Sequence, residues 1–247
     1  MTPPPTPPVD LVVPVKPLHL AKSRLRADLA RDGPDSAAHT RLVLAVARDT
    51  ITAARAAQAV RRVVAICSDP LAVAVLRADG VEVVADEPDA GLNAALRHGA
   101  DLLRAADPGA ATGAMQADLP ALRPAELSAA VTAALTAFAA PRAFAGLAGD
   151  SDAALGAAPG AAPVRAFSPD RAGTGTTLLL AAPGVALDPR FGPGSARAHA
   201  ASGALRLDGP WPTLRCDVDV EADLVEAARL GLGRHTSATL AGQSEHA

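Results

Sequence analysis

At 247 residues the chain fits one large α/β domain or two small ones, and it is long enough to bury a core without staples. Only two cysteines, Cys67 and Cys216, are present; this excludes a disulfide framework or Cys-rich zinc module and fits a reducing cytoplasm. A balance of 23 Lys plus Arg against 26 Asp plus Glu, net charge -3, and 2% aromatics with no Tyr exclude a broadly basic nucleic-acid surface and a base-stacking platform.

Residues 1–9 (MTPPPTPPV) lack the basic and apolar regions of a secretory signal and read as a disordered, polyproline-like tail. Asp10 to Pro17 (DLVVPVKP) has the pattern of a buried strand, and Arg41 to Ala57 repeats apolar residues at helical spacing. Strands are predicted at Val60–Cys67, Val81–Ala85 and Thr112–Ala117. Helices are predicted at Pro70–Ala78, Leu92–Ala105 and, opened by Pro124, to about Ala139. Such βα alternation predicts a mainly parallel sheet with helices on both faces. The longest apolar stretch, Val131 to Leu147, is interrupted by Pro141 and Arg142, so no membrane span is expected.

Residues 140–163 are so rich in Ala, Gly and Pro that they read as an inserted loop. From Val164 the pattern turns to short strands and Gly-rich turns (VRAFSPD, AGTGTTLLLA, DPRFGPGSARAH, GALRL, LRCDVD). Val220 to Leu230 closes the domain with an amphipathic helix that offers a face for a homodimer contact, and 234–247 reads as a flexible tail. The domain proper is thus 10–233.

Three groups of residues could carry chemistry. Asp217 and Asp219, two apart in CDVD, would share one face of a strand, and a divalent cation would relieve their repulsion. The alternative is that Asp219 caps the following helix. Asp118 stands at the carboxyl end of a predicted strand, where open α/β sheets bind ligands. Three carboxylates from two segments suit Mg²⁺. Lys16, Lys22 and Arg24 follow the first strand and could hold phosphates, although neither GxxxxGK[ST] nor GxGxxG is present. Finally, Gly173–Thr177 (GTGTT) and Phe191–Ser195 (FGPGS) could expose backbone N–H and hydroxyl donors to an anion, or be plain turns.

The order of motifs resembles a known family. Lys16–Leu25 (KPLHLAKSRL), Gly91-Leu92-Asn93, Ala117–Pro120 (ADLP), Asp170–Thr176 (DRAGTGT), Arg190–Ser195 (RFGPGS) with His199, and Cys216–Asp219 followed by Ala222-Asp223-Leu224 look like the guanylyltransferases of coenzyme F420 biosynthesis. Members act on 2-phospho-L-lactate or, in actinobacteria, phosphoenolpyruvate. The resemblance covers roughly Asp10 to Gly233. It implies a GT-A-like nucleotidyltransferase fold that uses GTP, Mg²⁺ and a small phosphorylated three-carbon acid, with no nucleic acid or membrane partner. It also implies that Asp118, Asp217 and Asp219 hold the metal and that Lys16, Lys22, Arg24 and Asn93 serve the nucleotide. Thr176, Gly192 and Ser195 would hold the acid. In that reaction Asp118, Lys16, Lys22 and Arg24 would be the catalytic groups. The family usually has Gly where this chain has Ala117, a change that extended backbone accommodates. A sugar or molybdopterin nucleotidyltransferase of the same fold, and a non-catalytic nucleotide sensor, are the competing readings.

Overall fold

Val9–Pro14 (β1) is buried at all 6 positions, the condition of a strand with neighbours on both sides and helices over both faces. The computed structural model describes residues 9–18, 36–87, 90–140 and 163–244. Residues 1–8 and 141–162, which hold nearly all of the expected tail and insertion, lie outside the described residues, while Val9, expected as the end of the tail, is the buried first residue of β1. After β1 come Ser36–Arg55 (α1), Arg62–Ile66 (β2), Pro70–Ala78 (α2), Glu82–Val84 (β3), Leu92–Ala106 (α3), Ala111–Met115 (β4) and Pro124–Ala139 (α4). The second half adds Arg165–Pro169 (β5), Thr176–Ala181 (β6), Ser195–Ala201 (α5), Leu205–Arg206 (β7), Glu221–Leu230 (α6) and Arg234–Ser244 (α7).

The strands form one sheet in the order β3-β2-β1-β4-β6-β5-β7, in which β6 alone runs against the others. The mainly parallel α/β architecture is the one the alternating pattern predicts. Period-2 alternation sorts the side chains: Leu11 and Val13 enter the core beneath α1, α2 and α4, whereas Val12 enters the core beneath α3. Small residues set the layer spacing. A Cβ on Gly99 of α3 would stand 2.8 Å from both Ile66 and Val12 side chains, so glycine is what lets this helix lie against β1 and β2. Trp211, Cys67 and Cys216 are buried packing residues. Among the described residues, no helix is long and apolar enough to cross a membrane.

Local chemistry explains the sharpest boundaries. Pro70 occupies the first turn of α2, and the Asp69 carboxylate accepts hydrogen bonds from the N–H groups of Leu71 and Ala72, both at 3.1 Å. At the far end of the sheet, the buried Asp10 in β1 is tolerated because Arg61 grips it through two bonds of 2.9 and 2.6 Å.

Three expectations are corrected. The segment expected as a flexible tail contains α7, which packs on α1. Its start is fixed by Asp49 of α1, whose carboxylate accepts from His235 N–H (3.0 Å) and Thr236 N–H (2.7 Å). The LRCDVD segment is not a strand: it crosses as irregular backbone that meets the loop after β4 through one main-chain bond. DPRFGPGSARAH is a loop followed by α5, because Gly194 adopts the left-handed conformation that opens the helix at Ser195. The apolar face of α6 packs within the chain, where Leu224 and Ala227 meet Leu42 and Val46 of α1.

Asp49→Ala removes both caps of α7 and is expected to cost about 1–2 kcal/mol. For a domain of this size that lowers Tm by roughly 2–8 °C. Hydrogen exchange should show α7 amides losing protection ahead of β1; equal protection in both variants would refute the capping role.

Candidate functional site

The sheet order reverses at β1, whose two neighbours, β2 and β4, carry the chain in opposite directions across the sheet. At the carboxyl ends of strands on either side of such a switch point, loops diverge and leave a crevice. A cavity of about 640 Å³ lies here, within the range of small-molecule sites. Lys16 reaches it from the loop after β1, and Gln116 to Asp118 from the loop after β4. The β5–β6 turn adds Asp170 and Thr174 to Thr176, the turn before α5 adds Gly192 to Ser195, and the segment before α6 adds Asp217 to Asp219.

The acidic side is assembled by backbone bonds. Thr50, fully buried in α1, accepts a bond from Leu119 N–H (2.9 Å), and its hydroxyl lies 3.2 Å from the Ala117 carbonyl, so it grips the chain on both sides of Asp118. Val218 N–H then donates to the Asp118 carbonyl at 3.0 Å, which brings Asp217 and Asp219 beside Asp118. Val220 is the N-cap residue of α6, and the carboxylate of Asp223 in the first turn accepts from the N–H groups of Asp219 (3.0 Å) and Val220 (3.1 Å). Asp217 therefore sits in a crowded negative field. Burial, and then the charges of Asp118, Asp219 and Asp170, push its carboxyl up to about 7.

The opposite side is built from neutral donors. Asp170 folds the GTGT turn by accepting from Thr174 N–H (2.9 Å) and Gly175 N–H (2.7 Å). Ala196 N–H donates to the Thr174 carbonyl (3.1 Å), joining this turn to the start of α5. Thr176 and Ser195 are both buried with hydroxyls among these turns, and the Thr176 hydroxyl lies 2.9 Å from His199 Nδ1. Two consecutive residues ahead of Gly192 are pinned: Arg190 N–H donates to His199 Nε2 (2.9 Å), and Phe191 exchanges two bonds with the Asn93 amide (2.8 and 2.9 Å).

Lys16, Asp118, Thr176, Gly192, Ser195, Asp217 and Asp219 thus line one cavity. Lys22 and Arg24 lie outside the described residues. Asn93 is not among the lining residues, and its amide exchanges two bonds with Phe191, so it braces the Gly192–Ser195 turn. Sequence reasoning missed Thr50 and Asp170 as supports; Asp170 carried a signal, a turn-forming Asp before a Gly-rich run. The substitution at Ala117 is accommodated, since Asp188 is the one non-Gly residue with positive φ among the described residues.

No protein-family model matches the chain. It is similar to proteins named phosphoenolpyruvate guanylyltransferase, among them one from Salinispora arenicola (strain CNS-205), 48% identical over 92% of this chain and 91% of the relative. The counterpart from Geodermatophilus obscurus is 47% identical over 94% of both chains. In structure it is similar to a nucleotidyl transferase from Methanothermobacter thermautotroptrophicus, with TM-score 0.53 and 18% identity over 90% of this chain and 97% of the other, a likeness of fold. The level and span of identity show that the chain belongs to the phosphoenolpyruvate guanylyltransferase family.

Proposed function

We propose that the protein transfers GMP from GTP to the phosphate of phosphoenolpyruvate. A phosphate oxygen of the acid forms a bond to the α-phosphorus of GTP, the bond from that phosphorus to the bridging oxygen breaks, and pyrophosphate leaves with the electron pair. One observation supports this most directly: a carboxylate cluster (Asp118, Asp217, Asp219) and a turn wall of neutral donors (Thr176, Gly192, Ser195) line the same cavity. The names of the relatives supply the acid and the base. The product fits the route to coenzyme F420 that the sequence motifs suggest.

The donor set fits Mg²⁺. Its oxygens are hard, and Asp217 is held in a field that a cation would relieve. Among the described residues no three His, Cys, Asp or Glu side chains form a ready cage. Mg²⁺ takes one or two carboxylates and completes its shell with substrate phosphates and water, so the three need not ligate together. Asp118, Asp217 and Asp219 are the carboxylates from which its protein ligands would come. When bound, the ion supplies charge neutralisation at the triphosphate.

The chain's own residues do the remaining work. Lys16, Lys22 and Arg24 offset triphosphate charge, while Thr176, Gly192 and Ser195 orient the acid. No general base is needed, because the second pKa of a phosphate monoester is about 6 and the nucleophile is already ionised near neutrality. This suits a cavity in which His199, bonded to the lining residue Thr176, is fully buried and held to about 4 by that burial.

Incubation with mixed nucleoside triphosphates, Mg²⁺, phosphoenolpyruvate and 2-phospho-L-lactate, followed by mass spectrometry, is expected to give the GMP conjugate of phosphoenolpyruvate with release of pyrophosphate. A different base or acceptor would overturn the assignment; GTP binding without pyrophosphate release would favour a sensor. Asp118→Asn should lower kcat by roughly 10²–10³-fold with Tm unchanged; near-normal turnover would reject the metal assignment. Asn93→Ala frees the Phe191 turn, so it should raise KM for the acid by roughly tenfold while KM for GTP stays constant. A rise confined to KM for GTP would instead make Asn93 a nucleotide contact.

A further inference from the structure

We propose that His199 is a positioning residue which makes the Thr176 hydroxyl an obligatory hydrogen-bond donor toward the cavity, where its partner is an unprotonated anionic oxygen of the phosphorylated acid. The ligand half of this inference rests on the reading under Proposed function; the role of His199 rests on its own bonds.

His199 is fully buried, with Phe167 and Phe191 ring centroids at 5.7 and 5.2 Å. Its two ring nitrogens are both engaged. Nε2 faces the backbone N–H of Arg190 at 2.9 Å, and a main-chain N–H can only donate. Nε2 is therefore the acceptor. A neutral imidazole has one donor and one acceptor, so the proton sits on Nδ1. An imidazolium would oppose two N–H groups at Arg190. Nδ1–H then donates to the Thr176 oxygen, 2.9 Å away.

This fixes the hydroxyl in turn. Having accepted from His199, it has its own proton left to give, and no protein acceptor for that proton stands among the described residues. Thr176 lines the cavity, so its proton is available to solvent there and, when a ligand displaces that solvent, to a ligand acceptor. Burial, with help from Arg190 and Arg165 and against Asp188, keeps the ring neutral well below physiological pH. The donor role does not lapse in the working range. Carboxylate and phosphate oxygens of a three-carbon phospho-acid are acceptors only, and they match a wall that offers hydroxyl donors without adding a cation.

Two measurements test this. In the full-length protein labelled with nitrogen-15, long-range proton–nitrogen NMR should report the Nδ1–H tautomer of His199; an Nε2–H tautomer or a doubly protonated ring overturns the role, whatever the substrate. In steady-state kinetics, Thr176→Val should raise KM for the acid roughly 10–100-fold, the loss expected for a hydrogen bond to an anion, and leave KM for GTP within twofold. His199→Gln, which keeps an acceptor near Arg190 N–H, should raise it similarly. His199→Asn, which keeps a donor at the Nδ1 position, should stay within about threefold of wild type. The double variant that combines Thr176→Val with His199→Gln should be no worse than Thr176→Val alone, because one residue acts through the other. Multiplying penalties would mean that His199 only supports packing, and would overturn the proposal. A Thr176→Val enzyme with wild-type KM for the acid overturns the placement of the acid, and with it the ligand half of this inference, while the NMR result still judges the tautomer.

Discussion

The site depends on a main-chain bond from Val218 N–H to the Asp118 carbonyl, 3.0 Å long. It holds together two segments whose side chains repel; burial first, and then that repulsion, push the Asp217 carboxyl up. A single backbone bond contributes only about 1 kcal/mol net, so it cannot hold the cluster alone. Apolar burial does the rest: Cys216 and Val218 pack with Leu42 and Val46 of α1 and with Ala121, beside the loop that carries Asp118. Thr50 of the same helix grips the main chain on both sides of Asp118. Helix α1 is therefore a common jig for both acidic segments, and the charges are placed by neutral contacts.

That arrangement explains which parts were legible in the sequence. In CDVD the alternation of apolar and acidic residues is real: Cys216 and Val218 are buried while Asp217 and Asp219 line the cavity. The inference from alternation to a strand fails because the segment has a one-bond meeting with the β4 loop in place of a ladder. Bounds read well where local chemistry sets them, as at Pro70–Ala78 and Pro124–Ala139, each with Pro in its first turn. They read poorly where the determinant is remote. Residues 234–244 have little apolar periodicity, and their helix is started by Asp49, 186 residues earlier than His235.

The same distinction separates the site residues. Those with chemistry visible in the side chain, such as Asp118, Asp217, Asp219, Lys16 and Ser195, fall in the cavity. Those whose work is to hold backbone did not show that role, since a sequence does not show which main-chain group an amide or hydroxyl will meet. Asn93 reads as a polar ligand contact, yet its two bonds go to Phe191, a residue 98 positions away. Thr50 reads as an ordinary helix residue. His199 stands in a quoted motif, but its meaning appears only with the Arg190 N–H against one nitrogen and Thr176 against the other.

The two sides of the cavity also make different electrostatic demands on what they bind. In the proposed reading the triphosphate lies toward the carboxylate side, which would repel it without compensating positive charge from a cation and from Lys16. The turn wall, where the acid would lie, meets the reverse problem. A Lys or Arg clamped on the phosphate would hold it firmly, but it would also draw electron density from the oxygen that must attack. Neutral hydroxyl and main-chain donors orient an anion while withdrawing less charge, and the buried, uncharged His199 adds direction without adding a cation. In the proposed transfer, positive charge is thus concentrated where pyrophosphate departs and kept from the nucleophile, which is the distribution that lowers the barrier in the forward direction.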